Sequence, residues 1–93
     1  MLQEFTANLA TQMGIRLSRV KLIDGKLLGC RDSHLVQMYS DGTMESALVY
    51  QREIDELQQG LIPLKLESRL RAALSRLHLL TSSSSNDLSH ITQ

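Results

Sequence analysis

The chain is poor in the residues from which most functional motifs are built. It has a single cysteine, Cys30, so it forms no internal disulfide, and a lone thiol fits a reducing compartment better than secretion. It has no tryptophan, and its aromatics are Phe5, Tyr39 and Tyr50, which leaves few rings on which bases or sugars could stack. No apolar run approaches the roughly 20 residues of a membrane helix, and Met1 is not followed by a basic stretch leading into an apolar segment. The expectation is a small bacterial protein of the cytoplasm with no membrane partner. Net charge is also missing: 10 basic residues meet 10 acidic ones, which removes any global attraction to nucleic acid or acidic lipid.

What is present is ordinary for a globular domain, with 42% hydrophobic and 22% charged residues. At 93 residues the chain reads as one small α+β domain over residues 1–80 and a flexible Ser-rich tail over 81–93. Charge is distributed in blocks. Residues 16–31 hold Arg16, Arg19, Lys21, Lys26 and Arg31 against Asp24 alone, whereas residues 32–56 hold six carboxylates against Arg52 alone. Such blocks pair within a fold or between two copies of it.

Leu2, Phe5, Leu9 and Met13 are spaced as one stripe of an amphipathic helix, and Gly14 is placed to end it. Two Asp-Gly pairs follow, Asp24-Gly25 and Asp41-Gly42, each between apolar runs. Asp-Gly suits a two-residue type I′ turn because both turn positions need positive φ. The first pair predicts a hairpin matching Ile23 with Lys26, Leu22 with Leu27 and Lys21 with Leu28. The second matches Tyr39 with Met44, Leu35 with Leu48 and Val36 with Ala47. Residues 43–50 also fit a helical period, but the turn and the Val49-Tyr50 pair favour a strand. The result is a four-stranded antiparallel meander, order 1-2-3-4. A short helix over QREIDELQQ follows, with Ile54 and Leu57 inward and Gly60 as its cap. Pro63 then opens a C-terminal amphipathic helix whose stripe is Ile62, Leu66, Leu70, Ala73, Leu74, Leu77 and Leu80.

Three groups invite a functional reading. In the run Cys30, Arg31, Asp32, Ser33, His34, an extended backbone would put a thiol, a carboxylate and an imidazole on one side, about 6.5–7 Å apart. That is too spread for one metal, and no second Cys or His pair completes a site, since His78 lies on the last helix and His90 in the tail. No glycine-rich nest or helix start follows Cys30 to activate it. The run therefore reads as a solvated joint with a partly buried, structural cysteine. Asp55 and Glu56 are adjacent on a helix and point apart, a solvated face. With no phosphate loop, dinucleotide fingerprint or nucleophile elbow, the expectation is a protein with no catalytic residue, no metal and no cofactor, and hence no enzyme.

The third group is on the last helix. Lys65, Arg69 and Arg76 fall within about 40° of one another on a 100° wheel beside the leucine stripe, and Arg71 and His78 flank its other edge. They form either a charged outer face over a buried stripe or a basic surface for a partner. An open sheet edge and the leucine stripe, Leu70 and Leu74 foremost, suggest a homodimer. In addition, a short helix followed by VKLIDGKLLGC resembles the opening of an Sm-like RNA-binding barrel, a likeness confined to the N-terminal part of the chain. It implies an RNA partner reached through the first hairpin. The leading expectation remains a non-enzymatic adaptor, chaperone-like or regulatory protein that binds another protein, with nucleic-acid binding as the alternative.

Overall fold

The structure, a computed structural model, describes residues 1–91, with side chains through Thr81. Its elements are α1 (Leu2–Gln12), β1 (Arg19–Ile23), a single 3-10 turn (Gly25–Leu28), β2 (Ser33–Ser40), β3 (Thr43–Tyr50), α2 (Gln51–Gln58) and α3 (Leu64–Ile91). The Ser-rich tail expected over 81–93 lies, from residue 82 on, outside the residues whose side chains are described. Among the described residues no helix is long and apolar enough to cross a membrane.

The architecture is α+β with an antiparallel sheet of three strands, order β1-β2-β3, and not the four-stranded meander expected from the two Asp-Gly pairs. The second pair behaves as its residues require: Asp41 and Gly42 take φ of 48° and 79°. That turn sets the register Tyr39 to Met44, Leu35 to Leu48 and Val36 to Ala47, and residues 43–50 are a strand. The first pair does not make a hairpin. Asp24 is extended, its Oδ1 accepts from the Lys26 N–H at 2.9 Å, and it caps the 3-10 turn that occupies KLL. β1 therefore pairs directly with β2, Ile23 opposite Leu35 and Arg19 opposite Tyr39.

The reason is a long-range one. Gly25 donates its N–H to Nδ1 of His34 at 2.9 Å, and the Cys30 N–H closes on the Gly25 carbonyl at 2.7 Å. A Cβ at Gly25 would collide with the Ser33 carbonyl and lie 2.8 Å from its carbon, so glycine is needed here for close approach to β2 and not for a positive φ. The Lys-Leu-Leu segment, with no polar alternation, turns out to solvent, leaving Leu27 82% and Leu28 62% exposed. The resemblance to the opening of an Sm-like barrel fails at the same place, since the segment that would supply its second strand is this turn and the sheet stays open.

Both long helices pack on one sheet face. In β2 the side chains alternate strictly, so His34, Val36, Met38 and Ser40 are buried. With Ala47 and Val49 they meet α3 through Leu66, Leu70, Ala73, Leu74 and Leu77, all at zero exposure, and α1 adds Leu2, Leu9 and Ala10. The expected stripe on α3 is thus the core of the chain, except at its ends, where Ile62 and Leu80 are exposed. In α2 Leu57 is buried and Ile54 half-buried against the core, and Gly60 follows at φ 83°.

Candidate interaction surface

The Cys30–His34 run is held by hydrogen bonds of its histidine. His34 is 6% exposed. Its Nδ1 accepts from Gly25, and its Nε2 lies 2.7 Å from Oε1 of Gln51. Gln51 is itself oriented by donating its Nε2 to Oδ1 of Asp55 at 3.1 Å, so its oxygen faces the ring and His34 carries its proton on Nε2. Asp24 Oδ1 is 3.3 Å from Nδ1. The imidazole thus rivets the 3-10 turn, β2 and the start of α2 together, with both nitrogens in use. Cys30 is exposed and takes no part in these bonds, its thiol lying 4.0 Å from the Leu28 carbonyl. The partly buried cysteine expected from its apolar approach is therefore corrected, because Leu27 and Leu28 on that approach are themselves turned to solvent. Among the described residues no group of three His, Cys, Asp or Glu side chains is disposed to hold a metal.

The cations singled out on α3 are mostly engaged inside the fold. Arg69 donates to the Glu53 carboxylate and to the Leu48 carbonyl, and its guanidinium lies 5.1 Å from the centroid of Tyr50. Glu53 is buried, and its other oxygen accepts from the Tyr50 N–H at 2.9 Å. Arg69 and Glu53 thereby close the outward backbone groups at one end of β3. Arg71 bridges Glu67 and Gln12, each at 3.1 Å, and Arg76 Nε lies 3.5 Å from Glu45. Lys65 is exposed. Three of the four cations therefore answer carboxylates of the same chain: Arg69 and Arg76 meet the acidic block before α3, and Arg71 meets Glu67 on α3 itself. Leu70 and Leu74 are at zero exposure, and a homodimer through that stripe would have to unpack the chain's own core.

The surface that residue-by-residue reasoning missed is the other side of the sheet, which no helix covers among the described residues. Register places its side chains in rows across the strands: Arg19, Tyr39 and Met44; then Lys21, Gln37 and Ser46; then Ile23, Leu35 and Leu48; then Ser33 and Tyr50. Met44, Leu48 and Tyr50 are 42%, 38% and 37% exposed. At the apolar row the surface sinks into a hollow of about 220 Å³ walled by Leu28, Cys30, His34, Leu35 and Leu48. Arg19 lies 5.9 Å from the Tyr39 centroid, and the Tyr39 hydroxyl donates to Gln37 at 2.9 Å. The signal for this face was in the sequence, in the polar Lys21, Gln37 and Ser46 that share a row. Yet Leu35 and Tyr39 are as apolar as Val36 and Met38, so alternation alone did not say which side the helices take. Comparison with protein-family models, curated proteins and solved structures finds no match to the chain.

Proposed function

We propose that the chain is a small non-enzymatic adaptor, chaperone-like or regulatory protein that acts by binding another protein on the uncovered face of its sheet. One observation carries this reading: a sheet covered on one side by α1 and α3 leaves Ile23, Leu35 and Leu48 in a continuous row on the other, beside an apolar hollow. Apolar side chains set contiguously on a rigid sheet, with polar neighbours around them, are the usual anatomy of a protein docking surface. The basic side of α3 supports a nucleic-acid reading less well, because Arg69, Arg71 and Arg76 already meet carboxylates and both tyrosine rings already carry a guanidinium.

The test is affinity capture from the native host with the wild-type chain and with Leu48→Asp, after circular dichroism shows both to be folded. A defined protein retained by the wild type and lost with Leu48→Asp is the expected result. Equal retention by both, or recovery that disappears on nuclease treatment, would refute the reading.

A further inference from the structure

Resting on that reading, we infer that the partner presents an acidic segment with one large apolar side chain, which seats in the hollow between Leu28, Leu35 and Leu48 while its carboxylates lie over Lys21 and Arg19. The inference comes from the charge pattern of the uncovered face. Its outward positions hold two cations, Arg19 and Lys21, and no carboxylate. Both cations are exposed and stand on β1, the side of the sheet away from α3 and its acids. Beyond the hollow Lys26 and Arg31 are balanced by Asp24 and Asp32, so the positive charge of the face rests on Arg19 and Lys21.

Geometry then fixes the spacing. Alternate residues of a strand are about 6.5–7 Å apart, so Lys21 stands one such step from the Ile23, Leu35 and Leu48 row and Arg19 two steps. A partner running extended along β1 would meet them with acids at the second and fourth positions from its apolar anchor. The hollow, at about 220 Å³, exceeds the roughly 150 Å³ that accommodates benzene, so a leucine, methionine or phenylalanine side chain fits. A second copy presenting the same face answers the charge badly, because that face offers no carboxylate to Arg19 and Lys21. A single-stranded nucleic acid would meet the cations, but the two rings of this face, Tyr39 and Tyr50, each already carry a guanidinium, and the hollow is aliphatic.

A library of random 12-residue peptides displayed on phage, panned on the full chain at low salt, tests the inference. Enriched sequences should hold Leu, Met or Phe with Asp or Glu at the second and fourth positions. Arg19→Glu with Lys21→Glu should weaken such peptides by about tenfold or more, and Leu48→Lys should abolish binding. Peptides lost with Leu48→Lys but indifferent to the charge reversal would overturn the acidic partner and leave the docking face standing. Peptides indifferent to both variants, or no enrichment at all, would overturn the inference and count against the face itself. Two further results would overturn it by naming another occupant: a sedimentation mass of two chains that Leu48→Lys reduces to one, or salt-steep binding of an oligo-dT probe that the charge reversal removes. Because Arg19 and Lys21 are exposed, their variant remains usable should Leu48→Lys not fold.

Discussion

Replacing Gly25 by alanine should damage the fold far more than replacing Gly29, although Gly29 is the residue with the left-handed backbone. Gly29 has φ 80° and open space around a built Cβ. An L-residue there costs about 1–2 kcal/mol in conformational strain, partly offset by about 0.4–1 kcal/mol from a less flexible unfolded chain. The net is about 1 kcal/mol. Gly25 has an ordinary φ, but its Cβ would strike the Ser33 carbonyl and come within 3.0 Å of the Cys30 carbonyl oxygen. Both obstacles are backbone, so the turn has to part from β2. That separation breaks the bond to His34 Nδ1 and the Cys30 to Gly25 bond. It also strands a buried N–H, at about 1–3 kcal/mol for the orphan and about 1 kcal/mol for the second bond. With the loss of packing around His34 the total is about 3–5 kcal/mol, at least about a fifth of the roughly 5–14 kcal/mol expected for a domain of this length. Urea unfolding followed by circular dichroism reads the difference: with a slope of about 1–2 kcal/mol/M, Gly25→Ala should lower the midpoint by about 2 M or more and Gly29→Ala by less than about 1 M. A Gly25→Ala midpoint equal to or above that of Gly29→Ala would refute the close-approach argument.

Three other expectations follow from the same hydrogen-bond and packing description. His34→Ala, which orphans the buried Gly25 N–H and frees Gln51, should cost about 2–4 kcal/mol, and amide exchange at Gly25 should rise more than at the Val36–Ala47 pairing; unchanged exchange at Gly25 would mean that the ring does not hold the turn. Arg69→Ala leaves the Glu53 carboxylate buried without its cation; because Arg69 keeps 29% exposure, the cost should be about 2–3 kcal/mol, below the 3–5 kcal/mol of a wholly buried pair. Adding Glu53→Gln to that variant should recover part of the loss, and a double variant less stable than Arg69→Ala would contradict the account. Leu74→Ala, at zero exposure, should cost about 2–5 kcal/mol in a thermal or chemical melt, whereas a loss under 1 kcal/mol would show that the stripe does not fill the core.

The helices and the second hairpin were legible in the chain because their signals are local. Pro63, the leucines from Leu66 to Leu77, and Asp41-Gly42 each specify a backbone through residues no more than a few positions away. Asp24-Gly25 misleads for the opposite reason. Its fate depends on His34, nine residues on, and on Ser33, whose carbonyl occupies the space a side chain would need. Nothing in LIDGKLLGC announces that a ring will come to meet the glycine. The cations of α3 were recognisable as a group, but their ion pairs with Glu45 and Glu53 depend on where β3 and α2 lie. The uncovered face was the least legible, since both sides of β2 carry large apolar residues and only the docking of α3 distinguishes them.

The Arg69–Glu53 pair has a consequence for assembly. Growth of a fibre by edge-to-edge addition needs two free edges on every copy, one to receive and one to offer. Here the end of β3 nearest α2 is already occupied at Leu48 and Tyr50, while among the described residues β1 has no strand beyond it. A neighbour adding along β1 meets open backbone groups, whereas one adding along β3 would have to displace Arg69 and Glu53 from its end. Arg69→Ala would therefore do more than weaken a single molecule: it would reopen the Leu48 end of β3 to an incoming strand.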